Sequence, residues 1–312
     1  MNENTWSILL AGGEGTRLRG LSHDASGRHC PKQFCAFGPG PSLLRKSVER
    51  AAALVPRSRI VAVVTEPQRR WWVSELDDLP EANIVVQPRN RGTAPAVLWS
   101  LLRILDEDSE ARVIVFPSDH FVHREPILRQ SLQEALESAE RDVVLLGAMP
   151  RRADTDLGWI QPLPADDSTL LRVGSFVEKP DWRSASELKR RGGLLNMLIL
   201  AASGKALLDL FRRATPELLN TLAGDDITPS LPSTRAICKA YESIATVDFS
   251  HDVLEKVAGD AVLWVKVVPQ CGWFDIGTPE RLATVPVFVG ERLRGDSMDS
   301  ESQRFGSDYW LG

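Results

Sequence analysis

Short, uninterrupted apolar runs alternate with amphipathic stretches through the first half of the chain. Trp6 to Ala11, Ile60 to Thr65, Ile84 to Gln87, Val113 to Phe116 and Val143 to Gly147 are rich in Val, Ile and Leu and show little alternation. That pattern predicts strands covered on both faces. Between them, apolar residues recur at helical spacing over Leu43 to Val55, Gln68 to Asp77, Pro95 to Asp106 and Ile127 to Ala139. Thr93 is the expected cap of the third helix, with Pro95 tolerated in its first turn. Strands alternating with helices of this length predict an α/β protein with a mostly parallel sheet and helices on both sides. Ligands of such sheets bind beyond the carboxyl ends of the strands, so residues just after each strand carry the most weight.

The second half is less regular. Gly158 to Pro162, Leu170 to Glu178, Met197 to Ala202 and Val262 to Val268 read as strands. Trp182 to Arg191, Lys205 to Ala214, a segment starting near Ser250 and Thr278 to Thr284 read as helices. The residues from Gly290 form a charged, Ser/Gly-rich tail, expected to be mobile until Phe305, Tyr309 and Trp310. No internal repeat or low-complexity linker divides the chain, so both halves are expected to share one sheet.

Composition narrows the classes. Of 312 residues, 43% are hydrophobic and 25% charged, which excludes disorder, collagen-like repeats and a coiled coil. The net charge of −5 argues against a nucleic-acid partner gripped through a broad basic face. It leaves room for a small anion held by a few local cations. No apolar run approaches the ~20 residues of a membrane span, so no membrane partner is expected. The opening Met1-Asn2-Glu3-Asn4 lacks the basic start of a secretion signal, and Cys30, Cys35, Cys238 and Cys271 form no C-x-x-C pair or metal-ligand spacing. A cytoplasmic location with reduced thiols follows as the expectation.

The candidate chemistry begins where the first strand runs into Gly12-Gly13-Glu14-Gly15-Thr16-Arg17-Leu18. Glycines let backbone N–H groups approach an anion, and Arg17 adds a bidentate cation. The loop lacks the Gly-Lys-Ser/Thr of a Walker sequence, and Leu18 breaks G-x-G-x-x-G. Taken alone, it fits a plain strand-to-helix turn equally well. Pro31-Lys32-Gln33-Phe34 follows, and Lys32 alone would be a solvated lysine. Together the two motifs resemble the start of the sugar-1-phosphate nucleotidylyltransferases. The Pro-Lys-Gln-Phe form most resembles mannose-1-phosphate guanylyltransferases. The remaining signatures follow in order: Gln87-Pro88-Arg89-Asn90-Arg91-Gly92-Thr93-Ala94-Pro95-Ala96, Phe116-Pro117-Ser118-Asp119-His120, Gly158-Trp159-Ile160, Val177-Glu178-Lys179-Pro180, Asp248-Phe249-Ser250 and Gly272-Trp273-Phe274-Asp275-Ile276-Gly277-Thr278. The resemblance covers roughly residues 6 to 285.

The resemblance implies a Rossmann-like three-layer α/β/α nucleotide-diphospho-sugar transferase fold with a mostly parallel mixed sheet. It implies a catalytic domain over 1–289, with a nucleotide half of about 1–150 and a sugar-phosphate half of about 151–289, and a tail over 290–312. The implied reaction is Mg²⁺-dependent transfer of GMP from GTP to mannose 1-phosphate, giving GDP-mannose and pyrophosphate. Arg17, Lys32, Asp119 and Asp275 are the implied catalytic set, with Asp119 and Asp275 holding the metal. Leu10, Ala11, Gly12, Gly13, Gly15, Thr16, Arg17, Lys32, Gln87, Asn90, Gly92, Thr93, Ala94, Ser118 and Asp119 would bind the nucleotide. Gly158, Glu178, Lys179, Asn196 and Asp248 would bind the sugar phosphate. A homodimer is compatible with the family.

Elementary chemistry agrees with this set. Two polyanions must meet, so catalysis is mainly charge neutralisation and positioning. Mg²⁺ favours a few carboxylates plus phosphate oxygens and water. The nucleophile is a phosphate monoester with a second pKa of about 6, already ionised near neutrality, so no general base is required. Each residue also has an ordinary reading. Asp119 or Asp275 alone could cap a turn, and Glu178 and Lys179 could be a surface pair of little consequence. His120, with His123 nearby, fits loop support better than metal ligation. Of Trp71 and Trp72, at least one should serve packing or an interface.

One stretch departs from the family. Where relatives usually carry Trp-Asn-Ser-Gly, this chain has Leu195-Asn196-Met197-Leu198. Asn196 survives, while Leu195 and Met197 are expected to reshape the sugar pocket. The departure leaves open another pair, such as glucose 1-phosphate with UTP or dTTP, and a non-catalytic paralogue that senses nucleotide sugars.

Overall fold

The computed structural model of the chain describes residues 4–18, 20–23, 28–37, 40–140, 142–164, 169–223, 234–260 and 262–285. The expected tail from Gly290, with Phe305, Tyr309 and Trp310, lies outside these. The apolar runs of the first half form β1 (Thr5–Leu10), β2 (Ile60–Thr65), β3 (Ile84–Gln87) and β4 (Arg112–Pro117). Between them lie α1 (Leu43–Ala52), α2 (Arg69–Glu75) and α3 (Thr93–Glu107). A short β5 (His120–Val122) precedes α4 (Glu125–Ser138) and β6 (Val143–Ala148). The second half contributes β7 (Trp159–Pro162), β8 (Leu170–Val177), α5 (Trp182–Arg190), β9 (Leu194–Ser203), α6 (Gly204–Ala214), α7 (Pro216–Ala223) and α8 (Thr234–Ser243). A π-helical segment, Phe249–Leu254, runs into α9 (Glu255–Val257), followed by β10 (Leu263–Val268), β11 (Trp273–Asp275) and α10 (Pro279–Ala283).

One nine-stranded mixed sheet runs in the order β3-β2-β1-β4-β9-β6-β10-β8-β7. Pairing is parallel through β3-β2-β1-β4 and between β6 and β10, and antiparallel around β9, β8 and β7. The apolar strands are explained by burial on both faces. Trp6, Ile8, Val61 and Val63 enter a core with helices α3, α6 and α7, whereas Leu9, Ile60, Ala62 and Val64 enter one with α1 and α4. Trp72 is buried with its indole N–H on the Thr65 carbonyl at 3.0 Å, and Trp71 stacks on Phe34. Both tryptophans therefore pack. Among the described residues no helix is long and apolar enough to cross a membrane.

Two local expectations are corrected. Thr93 is the first residue of α3, not its cap: Gly92 stands at the N-cap with φ 91°. The Thr93 hydroxyl instead accepts the Phe249 N–H at 2.7 Å. A β-carbon on Gly92 would collide with the Val247 carbonyl, so only glycine fits that entry to the helix. Helices α7 and α8 fall where no element is predicted; each is short, and α8 earns its helix by burying Ile237, Ala240 and Tyr241 in the core.

Candidate active site

The chain leaves β1 toward β2 and β3 and then crosses back to β4 on the other side of β1. The carboxyl ends of β1 and β4 thus flank the switch point where open sheets of this kind bind ligands. Ser118, just past β4, locks that edge by donating its N–H (3.2 Å) and hydroxyl (2.7 Å) to the Leu10 carbonyl. Because β9 runs antiparallel to β4 and β6, its first residues reach the same edge. Here lies a cavity of about 300 Å³ whose lining includes Gly15, Arg17, Lys32, Asp119 and Asp275 together with Gly158, Glu178, Lys179, Asn196 and Leu198.

The glycine loop is held from beneath by two buried glutamines. Gln33 donates its side-chain amide to the carbonyls of Ala11 (2.9 Å) and Gly13 (2.7 Å), and Gln68 donates to Gly13 at 2.9 Å. Gln33 also reaches the Gln68 carbonyl oxygen at 3.3 Å. With those carbonyls engaged below, the loop is pre-set for its N–H groups to meet an anion. Gly15 has φ 62°, and a β-carbon there would lie 2.7 Å from the Lys32 amide nitrogen, so loop and lysine segment are in backbone contact. Arg17 lies in a short 3-10 turn with Thr16 and Leu18, exposed on the cavity rim. Gln33 belongs to Pro31-Lys32-Gln33-Phe34, where the resemblance assigns it no role, and nothing in the sequence marks Gln68.

Asp119 and Asp275 meet through β5 and β11. Their antiparallel ladder pairs Asp275 with His120, which places Asp119 beside it. The buried Lys32 ammonium lies 3.2 Å from Asp119 Oδ2 and 3.4 Å from Asp275 Oδ1. Burial raises the Asp119 carboxyl, but Lys32 and His120 outweigh it and hold the group below the ordinary carboxylate range. For His120, burial dominates over the attraction of the two aspartates and lowers its pKa, favouring the neutral ring. The Trp273 indole N–H donates to His120 Nδ1 at 3.2 Å, which leaves the imidazole proton on Nε2, 3.7 Å from each aspartate. His120 thus stands beside both carboxylates, with its Nε2 beyond hydrogen-bond distance of either. Arg281, absent from the sequence reading, spans Asp275 (2.6 Å), Asp154 (2.6 Å) and Asp156 (3.3 Å). It ties α10 to the loop that lines the cavity through Asp156, Leu157 and Gly158.

The residues expected to read the base lie further along the same edge. Gln87 is buried; its Oε1 accepts the Tyr241 hydroxyl at 3.0 Å, and its Nε2 is the atom a β-carbon on Gly12 would meet. Asn90 Oδ1 accepts the Gly92 N–H at 2.9 Å. Arg91 and Ala94 are stitched to Val247 through backbone hydrogen bonds. The segment 90–94 is thus fixed by 247–249, a contact between the two halves that no motif announces. Gly13 faces open space, and Leu10 and Ala11 lie at the end of β1.

Among the residues expected to meet the sugar phosphate, Glu178 and Lys179 form a 2.9 Å ion pair in the cavity wall. Burial raises the Glu178 carboxyl against the opposing pull of Lys179. A side chain at Gly158 would meet Glu178 Oε2, so glycine there makes room for the carboxylate. The Asn196 N–H donates to the Gly158 carbonyl, and Asn196 lines the cavity. Asp248 is not among the cavity residues. Its carboxylate caps the π-helical segment by accepting the His251 N–H at 3.0 Å, while Ser250 reaches the cavity wall. The Leu195 and Met197 expectation is redirected by burial: Leu195 packs under α5 with Trp159, and Met197 is fully buried in the core with α1 and α4. Leu198 is the residue of this stretch with φ 53° that lines the cavity.

Two carboxylate oxygens converging on one ammonium form a donor set that suits a hard divalent cation completed by phosphate oxygens and water. Both Asp275 oxygens already face cations, Oδ1 Lys32 and Oδ2 Arg281, so an ion held there would share Oδ1 with Lys32, while Asp119 keeps its Oδ1 open beyond the Lys32 contact on Oδ2. Among the described residues no cluster of three or more His, Cys, Asp or Glu side chains forms a self-sufficient metal cage.

A Nucleotidyl transferase family profile matches residues 6–221. Alginate biosynthesis protein AlgA of Pseudomonas syringae is 29% identical over 290 residues, 86% of this chain and 56% of that protein. Mannose-1-phosphate guanylyltransferase RfbM of Salmonella typhimurium is 26% identical over 283 residues, 87% and 56% respectively. The chain thus spans about half the length of these curated relatives. A solved structure titled mannose-1-phosphate geranyltransferase, from Thermus thermophilus, is 31% identical with a TM-score of 0.72, covering 88% of this chain and 76% of that one. A UDP-glucose pyrophosphorylase bound to UDP-glucose shares the fold at 13% identity and a TM-score of 0.58, covering 93% and 99%.

Proposed function

From the premise that this chain belongs to the nucleotidyl transferase family, we propose that it joins a nucleoside triphosphate to a sugar 1-phosphate, with GTP and mannose 1-phosphate as the preferred pair. The observation that carries this reading is the convergence of Asp119, Asp275 and Lys32 beside the glycine loop, in one cavity with Glu178, Lys179 and Asn196. The nucleotide preference rests on the relatives named for guanylyl transfer and on Pro31-Lys32-Gln33-Phe34.

In this reading the glycine loop and Arg17 bind the triphosphate. Lys32 has mobile donors and two carboxylate partners, so its ammonium can turn toward phosphate oxygens as they arrive. Asp119 and Asp275 would hold Mg²⁺, which when bound supplies charge neutralisation between the α-phosphate and the incoming phosphate. Lys179 and Asn196 orient the sugar phosphate. One phosphate oxygen of the sugar 1-phosphate attacks the α-phosphorus; the bond to the bridging α–β oxygen breaks, and pyrophosphate leaves with that electron pair. The nucleophile is already ionised, so His120 need not take a proton.

Pyrophosphate release over a matrix of triphosphates and sugar 1-phosphates, with and without Mg²⁺, tests the proposal. GTP with mannose 1-phosphate should give the highest kcat/KM. Turnover only with another pair would overturn the substrate assignment, and silence of every pair would overturn the reaction. Asp119→Ala and Asp275→Ala should remain folded and lose Mg²⁺-dependent turnover; near-normal rates in both would remove the metal assignment.

A further inference from the structure

β9 is interrupted where it meets the cavity. Gly147 pairs with Asn196 and Leu145 with Leu200, so one residue of β6 faces three of β9, Met197 to Ile199. The excess is folded into a bulge. The Asn196 side chain closes it, its Oδ1 accepting the Leu198 N–H at 3.1 Å. At the apex Leu198 adopts φ 53°, a left-handed conformation that a branched aliphatic side chain rarely takes. Strain of this kind persists where surrounding structure over-determines it, and it concentrates at binding sites. Leu198 lines the cavity, half-buried and packed on the core beneath it, among the sugar-side residues Gly158, Glu178 and Lys179.

We propose that Leu198 is a specificity-determining residue of the sugar subsite. The Asn196-closed bulge presents it as an apolar wall that excludes sugar 1-phosphates carrying a bulky or polar substituent on the edge facing it. The bulge uses one oxygen of Asn196 and leaves its Nδ2 donors for a hydroxyl, so one two-residue device both hydrogen-bonds the sugar and limits its shape. An aliphatic wall offers no partner to a hydroxyl or acetamido group, and a buried polar group without a partner is strongly disfavoured. The assignment rests on the nucleotidyl-transfer reading for the identity of the ligand, while the wall itself rests on the bulge.

The test compares the wild-type chain with Leu198→Ala, which keeps the strained β-carbon but removes the wall, and Leu198→Gly, which removes both. Each is assayed with mannose 1-phosphate, a 6-deoxyhexose 1-phosphate and N-acetylglucosamine 1-phosphate at saturating triphosphate, and the triphosphate is varied separately at saturating mannose 1-phosphate. Both variants should change the kcat/KM ratios among the sugars at least tenfold, through KM for the sugar phosphate, with KM for the triphosphate unchanged. Ratios within twofold of wild type in both variants would overturn the proposal. Calorimetric titration of the same sugar 1-phosphates separates the two claims. If no protein turns over any pair, the reaction reading falls; Leu198 then stands on shifted relative affinities and falls if no sugar binds or the affinities are unshifted.

Discussion

Replacing Lys32 by Met tests the centre of the site directly. Lys32 is 5% exposed, and its ammonium sits 3.2 and 3.4 Å from two carboxylates. At an effective dielectric of about 20, each contact is worth roughly 5 kcal/mol of gross attraction. Solvent reaches Asp119, whose side chain is 39% exposed, and desolvation of Lys32 opposes the gain. The net loss is therefore expected to be about 2–3 kcal/mol, a fall in Tm of roughly 3–5 °C for a domain of this size. The sign of the pH dependence follows from Asp119. Its folded pKa is depressed, so its stabilising contribution is present above the unfolded value and is lost as pH falls through the folded one. The gap between wild type and Lys32→Met should accordingly narrow below about pH 4. Freed carboxylates should also bind a divalent ion without competition, and Mg²⁺ at 100 times its Kd would return about 2.7 kcal/mol. Thermal melts of both proteins across pH 3–8, with and without Mg²⁺, decide the matter. A variant that melts with wild type at pH 7 and ignores Mg²⁺ would refute the account of Lys32 as a cation shared by two aspartates.

Three further perturbations probe how the site is held. Gln33→Leu removes the donors to Ala11 and Gly13; with about 1–2 kcal/mol of loop positioning lost, KM for the triphosphate should rise about tenfold while KM for the sugar phosphate stays put, as steady-state kinetics would show. Arg281→Ala leaves the part-buried Asp154 and Asp275 without their shared guanidinium; denaturant unfolding should report a loss of about 2 kcal/mol, and Arg281→Lys should recover little because one ammonium cannot span three carboxylates. Gly92→Ala forces a β-carbon into the left-handed region and onto the Val247 carbonyl; a loss of about 2 kcal/mol or more is expected in the same measurement, and an unchanged midpoint would contradict the stitched contact between 90–94 and 247–249.

The sequence by itself determined the elements whose causes are local or periodic. The parallel strands are legible because apolar residues on both faces leave no polar alternation, as in Ile60–Thr65. The glycine loop and Lys32 are legible because short-range backbone geometry and charge demand particular residue types at a fixed spacing. Tertiary structure decided what those residues meet. Lys32 and Asp275 stand 243 residues apart and meet where β11, carrying Asp275, pairs with β5. Gln68 and Arg281 are ordinary polar residues in sequence; their roles arise because burial strips them of water and obliges each to satisfy whatever carbonyl or carboxylate folding brings near. Asp248 shows the converse, since a carboxylate that could face a ligand is instead spent on a helix cap. The departure around Asn196 was visible in the sequence, but its consequence moved from Leu195 and Met197 to Leu198. Which side of a strand faces the cavity depends on register, and a bulge of this kind resets register at the residue where it occurs.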